Sequence, residues 1–158
     1  MTQNQIIITT ATAEDDGTIA QHFYQLWLDN GIATELISDR AMETTLEFIT
    51  HARQELSFQA FLAIVDGQVA GSVSCQLFAG LYPNPFQPSF RQYGYIWNVF
   101  VESAYRRQGI GTQLTKRAVA YLKTLDCTHA ILHASPHGKP VYEQLGFVPK
   151  NEMILEIE

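Results

Sequence analysis

A mixed α/β (α+β) fold is predicted by three features of the chain. Short β-branched runs alternate with amphipathic helical stretches, an Asp66-Gly67 pair sits between two long apolar runs, and a strand passes through a glycine-containing loop into a helix near residue 109. The order reads as a strand, two helices, a β meander, then helix, strand, helix, strand. No repeat, low-complexity stretch or linker divides the 158 residues, and 46% of them are hydrophobic. One domain over 1–158 with a substantial core is therefore expected.

The elements follow in order. Ile6, Ile7 and Ile8 form a short β-branched run, so a strand is expected there. Thr12 is placed to cap a helix, with Asp15 three residues on as a capping-box partner. Ile19, Phe23, Leu26 and Trp27 recur at helical spacing until Gly31. A second helix is expected over about 39–54, with Met42, Leu46 and Ile49 on one face. Residues 58–65 and 69–78 read as strands joined by a two-residue turn at Asp66-Gly67. Pro83, Pro85 and Pro88 exclude regular structure from the loop that follows. Residues 93–101 return to strand. The helix opened by Gly109 carries Leu114, Ala118, Tyr121, Leu122 and Leu125 as one apolar stripe. A buried strand is expected at 130–132, then a short helix marked by Val141, Tyr142 and Leu145 and stopped by Gly146. A strand pair at 147–148 and 153–157 completes the expectation.

Bulk properties narrow the function. The net charge of −6 argues against nucleic acid as the main partner. No apolar run approaches the roughly 20 residues that span a bilayer, and the first residues lack a signal-peptide pattern, so no membrane partner and a cytoplasmic location are expected. Cys75 and Cys127 each lie in an apolar run with no Cys-x-x-Cys pair, which fits two reduced core thiols.

The most informative stretch runs from Val99 to Thr112. A strand (Val99, Phe100, Val101) leads into a basic loop with Arg106 and Arg107, then Gly109 and Gly111 at the start of a helix. Such a loop points several backbone N–H groups, backed by a helix N-terminus, at one spot suited to a pyrophosphate. Other phosphate motifs fit worse. The dinucleotide fingerprint needs a small residue where Leu114 stands, and Gly138-Lys139 runs into Pro140 instead of a Walker Ser or Thr.

Arg106-x-x-Gly109-x-Gly111, followed by Tyr142-Glu143-Gln144-Leu145-Gly146-Phe147, resembles the GCN5-related N-acetyltransferase (GNAT) family. The resemblance covers most of the chain and is strongest over about 93–153. It implies a central, mostly antiparallel twisted sheet flanked by helices and splayed at the cofactor strand. About 1–57 would supply the acceptor-side helices and about 93–153 the acetyl-CoA-binding core. Acetyl-CoA is implied as co-substrate, with the pyrophosphate on the amides of Arg107, Gln108, Gly109, Ile110, Gly111 and Thr112, and with Arg106 at the loop mouth. The pantetheine arm would lie along Val99, Phe100 and Val101, where one amide polarises the thioester carbonyl. Tyr142 matches the general acid that protonates the departing thiolate. Ser135 stands where many relatives carry an Asn that contacts the pantetheine.

The acceptor site is less legible. Tyr95 and Asn98, before the cofactor strand, are candidates to hold a water, and His133 on the next strand is a candidate base. Glu35 and Asp29 are carboxylates in the acceptor-side region, and Trp27, Tyr82, Phe86 and Phe90 are candidates to frame an aromatic pocket. The Pro-rich loop is long enough for a lid or an oligomer contact. His129 and His133 are four apart, but on a strand that spacing is about 13 Å, too far for one metal, so no metal is expected.

The leading expectation is transfer of acetyl to a primary amine of a small molecule by direct attack. Acetylation of a protein N-terminus or lysine is the alternative, and a non-catalytic acyl-CoA-binding domain is a third. A homodimer is expected from what is common among such enzymes.

Overall fold

The computed structural model describes residues 4–157. Its five strands are β1 (Ile6–Thr10), β2 (Gln59–Val65), β3 (Gln68–Leu77), β4 (Tyr93–Val101) and β5 (His129–Ile131). Its α-helices are α1 (Asp16–Asp29), α2 (Ala41–Glu55), α3 (Ile110–Thr124) and α4 (Lys139–Gln144). The strands form one sheet in the order β1-β2-β3-β4-β5, antiparallel throughout except for the parallel pair β4-β5. This is the mixed, mostly antiparallel sheet that the sequence implies. Among the described residues no helix is long and apolar enough to cross a membrane.

Local chemistry accounts for most boundaries. Asp66 and Gly67 both take positive φ (49° and 77°), the turn that matches the twist of a two-residue hairpin. The Thr12 N–H donates to the Asp15 carboxylate at 2.8 Å, but the turn it opens is a short 3-10 segment (Ala13–Asp15) that then feeds α1. On one sheet face α3 buries Ile110, Leu114, Ala118 and Leu122 against Phe61, Val73, Cys75 and Ile96. On the other, Ile19 of α1 and Ile49 and Ala52 of α2 pack with Phe58, Ala60 and Leu62. Burial pushes the Cys75 thiol up to about 12, as expected for an inert core cysteine.

Two expectations at the C-terminal end need correction. β5 is a three-residue, half-buried edge strand at 129–131, not a buried strand at 130–132. Residues 147–148 and 153–157 form no strand pair. Met153 and Leu155 are 93% and 84% exposed. β-Propensity reflects packing on a half-buried surface, and residues 153–157 find neither a partner strand nor a face to cover.

One irregularity shapes everything that follows. Ser72 pairs with Phe100 and Ser74 with Trp97, so β4 carries one residue more than β3 across this interval. The extra residue lies at Asn98, whose φ is +52°. As a result Trp97 and Asn98, neighbours in sequence, both meet the α1 side: Trp97 through Phe23 and Asn98 through the Ile19 carbonyl. Val99 and Val101 return to the α3 side. Gly71 pairs with Val101, just beyond this bulge. A Cβ there would lie 2.4 Å from the Phe100 carbonyl oxygen and 3.3 Å from the Val101 Cα. Backbone cannot yield as a flexible side chain does, so Gly71→Ala should cost about 1–3 kcal/mol, read as a lower Tm in thermal unfolding.

Candidate functional site

The sheet opens where β4 and β5 part. Their pairing covers only Tyr93, Gly94 and Tyr95 against His129, Ala130 and Ile131. Beyond Tyr95 the β5 side of β4 has no neighbouring strand, which leaves an edge suited to an extended ligand up to the Val101 carbonyl, where Arg106 binds. A cavity of about 720 Å³ occupies this opening. Tyr95, Trp97, Asn98 and Val99 line it from β4, His133, Ser135 and Tyr142 from the far side, and Phe23, Trp27 and Phe48 from the helices.

At one end of β4 the chain passes a 3-10 turn (Ser103–Tyr105) and reaches the glycine loop. Gly109 has φ +80° and nothing within 4 Å of where its Cβ would lie. The main-chain bond from the Gln113 N–H to the Gly109 carbonyl is 3.1 Å. Among the described residues, no N–H from 107 to 112 donates to a main-chain carbonyl outside α3. Amides left without partners at a helix N-terminus are suited to an anion. Loop amides without main-chain partners, the edge of β4 that β5 leaves uncovered and the cavity beside 95–99 fit a cofactor with a diphosphate, an extended arm and a reactive end.

Arg106 is placed differently from its expected role. Its Nε donates to the Val101 carbonyl at 2.9 Å and its Nη2 meets Asp29 Oδ2 at 2.5 Å. It ties the loop to the end of α1 and does not reach out as a free cation. Asp29 is equally committed: the Gln25 amide, and after it the Arg106 guanidinium, hold its carboxyl below the usual range, which is the wrong direction for a base. Glu35 is exposed on a 3-10 turn (Thr34–Leu36) and lines no part of the cavity. Arg107, with φ +63°, is exposed at the loop mouth.

Tyr142 lies across the cavity from β4. It is lodged between Phe147, edge-on at 5.9 Å, and Gly138, where an added Cβ would come within 3.0 Å of its ring. Burial pushes its phenol up to about 12. Among the described residues its hydroxyl has no hydrogen-bond partner. Ser135 lines the same wall, but its hydroxyl accepts the Gly138 N–H at 3.2 Å, which helps to position α4.

The opposite rim carries a polar chain. The Tyr95 hydroxyl is 2.7 Å from His133 Nδ1, and His133 Nε2 is 2.6 Å from Glu152. Burial, with a smaller contribution from the Glu152 charge, raises the Tyr95 phenol, so it stays protonated and donates to the ring. Glu152 is the member that the sequence reading lacks. It comes from a segment without regular structure and carries no local signal.

The aromatic wall also differs from expectation. Trp27 belongs to it, joined by Phe23, Phe48 and Trp97, which meet edge-to-face at 5.0–5.9 Å. Tyr82, Phe86 and Phe90 do not line the cavity. They gather around Arg91 on the Pro-rich loop, which leaves the mouth uncovered. Helical periodicity alone could have placed Phe23 beside Trp27, whereas Phe48 and Trp97 depend on how α2 crosses the sheet.

Comparison with known proteins points the same way. A family model described as acetyltransferase (GNAT) family matches residues 23–147. N-alpha-acetyltransferase 30 of Xenopus laevis is 32% identical over 142 residues, 85% of this chain and 48% of that protein. The chain thus spans about half the length of that relative. A GCN5-related N-acetyltransferase from Ralstonia eutropha JMP134 superposes with a TM-score of 0.83 at 22% identity, covering 97% of this chain and 99% of the other. A predicted acetyltransferase from Clostridium acetobutylicum, solved with acetyl-CoA, superposes with a TM-score of 0.81 at 24% identity over 98% and 96%. At these identities the two superpositions speak to the fold.

Proposed function

Because the chain belongs to the acetyltransferase (GNAT) family, we propose that it transfers acetyl from acetyl-CoA to the α-amine of a peptide or protein N-terminus whose first side chains are apolar. The observation that carries this reading is the cavity wall. It is built from Phe23, Leu26, Trp27, Ile32, Phe48 and Trp97, with no Asp, Glu, Lys or Arg among the lining residues. A polycationic small molecule would find no countercharge along this wall, while an apolar side chain beside the amine would be desolvated favourably. The open mouth leaves room for a continuing chain. The name of the Xenopus relative is consistent with an α-amine acceptor.

Proton chemistry favours the same class. An α-ammonium has a pKa of about 7.7–8.0, against about 10.4 for lysine, so a histidine relay can deprotonate it near neutrality. In the proposed arrangement Tyr95 takes the proton of the attacking amine as it passes its own to His133 Nδ1. Glu152 steadies the resulting imidazolium through Nε2, and the exposed ring releases the proton to solvent. Bound acetyl-CoA supplies an activated acetyl thioester. The amides of 107–112 would hold its diphosphate and the β4 edge its arm. A β4 amide would act as a fixed dipole where charge develops on the carbonyl, and Tyr142 would stand as proton donor at the sulfur.

The test is thiol release from acetyl-CoA across a panel of acceptors: short peptides headed by two apolar residues, the same peptides headed by acidic residues, an Nα-blocked lysine peptide, an aminoglycoside and simple alkylamines. Apolar-headed peptides should give the highest kcat/KM, by about tenfold or more over acidic-headed ones. A preference for the aminoglycoside or an alkylamine would replace the peptide with a small molecule. Thiol release with none of the panel would overturn the acceptor class.

A further inference from the structure

A second polar chain runs through the core on the α1 side of β4, and the chemistry above does not use it. His22, on α1, is 4% exposed and its ring lies 4.7 Å from that of Phe100. Its Nδ1 is 2.8 Å from Ser72 Oγ and its Nε2 3.3 Å from a Glu102 carboxylate oxygen. Ser72 Oγ is in turn 3.1 Å from Asn98 Nδ2, which also faces the Ile19 carbonyl at 3.4 Å. The acceptor-only partners fix the two ends of the chain. A carbonyl only accepts, so the Asn98 atom facing Ile19 is the amino group, and Ser72 Oγ accepts from it. A carboxylate only accepts, so Nε2–H donates to Glu102, and in a neutral ring Nδ1 then accepts from the Ser72 hydroxyl. This assignment needs a neutral ring. Burial lowers the His22 pKa despite the opposing pull of Glu102, the nearest charge; Arg106 lies behind Phe100 at 5.9 Å and is held by Asp29.

The order Ser–His–Glu invites a nucleophile reading, which burial rejects. Ser72 is fully buried, and its oxygen is occupied by Asn98. The functional end of the chain is Asn98 itself, the residue at φ +52° that creates the β4 bulge and borders the cavity. Asn tolerates this left-handed region better than most residues, and in mid-strand the conformation persists where surrounding contacts over-determine it. The torsions of Asn98 set the direction of the following amide, on the stretch of β4 that faces the open side of the sheet. Two buried polar atoms nearby, Asn98 Oδ1 and Ser74 Oγ, have no hydrogen-bond partner among the described residues, so this polar patch is a costly way merely to fill a core.

We infer that His22 is a positioning residue for acetyl transfer: through Ser72 it clamps Asn98, and with it the β4 bulge, so that the main-chain donor beside the thioester keeps one orientation. The dipole would then be aimed before the reaction and need no reorganisation during it. Glu102 fixes the ring tautomer from the far side, at the first residue after β4.

His22→Asn keeps an acceptor where Nδ1 stood and loses the reach to Glu102. His22→Gln does the reverse, and Ser72→Ala removes the link alone. Each variant is titrated with acetyl-CoA to count binding-competent sites. Two readouts follow: the infrared carbonyl stretch of bound [1-13C]acetyl-CoA, which needs no acceptor and stands apart from the peptide proposal, and kcat with the best amine of the panel. Wild type should show a carbonyl stretch lowered on binding. Ser72→Ala and His22→Gln should lose most of that lowering and about tenfold or more in kcat per site, with acetyl-CoA Kd within about threefold. His22→Asn should retain both. An unchanged stretch and kcat in Ser72→Ala would overturn the inference, as would rescue by Gln and not by Asn. Should the His22 variants fail to fold, Ser72→Ala decides alone.

Discussion

Replacing Tyr142 by Phe should lower kcat by about 100-fold or more while leaving the Kd of acetyl-CoA within about threefold. The substitution removes one oxygen and keeps the ring, so the edge-on contact with Phe147 survives. Among the described residues that oxygen makes no hydrogen bond, so its loss should move the Tm of the free protein by no more than about 2 °C. A tyrosine of purely structural value would show no change in turnover, and equal kcat would remove it from the mechanism. The pH profile adds an independent check. Burial raises the phenol to about 12, so the acid form persists throughout the neutral and mildly alkaline range. Ionisation of Tyr142 should therefore give no descending limb in kcat at or below about pH 10. A limb near pH 8 that vanished in the Phe variant would mean that the ring is far more solvated than the structure shows.

The parts of this protein that were legible in sequence are those whose physics is local. The Asp66-Gly67 turn needs two positive-φ residues in a row and has them. The stripe of α3 is spelled out at helical spacing, and the short helix around Tyr142 ends where Gly146 takes φ +93°. Tyr95 and His133 could be nominated from strand order alone. What could not be read depends on contacts far apart in the chain. Arg106 looks like a phosphate ligand until α1 brings Asp29 to it from 77 residues away. Glu152 reaches His133 from a tail with no regular structure, where propensity alone suggested strands. His22 is one of five histidines scattered through the sequence, and only the packing of α1 on the bulge joins it to Ser72, 50 residues away. The bulge itself has no local signature, because Trp97-Asn98-Val99 continues an unbroken strand pattern. Only the register against Ser72 and Ser74 reveals the extra residue.

Gly109→Val should abolish detectable acetyl-CoA binding and lower the stability of the free protein as well. Two contributions are mixed in that variant, and a second substitution separates them. At φ +80° any L-residue is strained, a β-branched one most of all, which accounts for the fall in Tm. No protein atom lies within 4 Å of the added Cβ, so the strain comes from the backbone and not from a clash within the fold. Asn tolerates the left-handed region much better than Val. Gly109→Asn should therefore recover most of the lost Tm. It still places a side chain in the open space before residue 109, where the proposed site would seat the diphosphate. Acetyl-CoA affinity should stay at least about tenfold weaker than in wild type, and the ligand-induced rise in Tm should shrink accordingly. If Gly109→Asn bound acetyl-CoA as tightly as wild type, the space in front of residue 109 would not be where the diphosphate sits, and the anion site would have to be sought elsewhere along the chain.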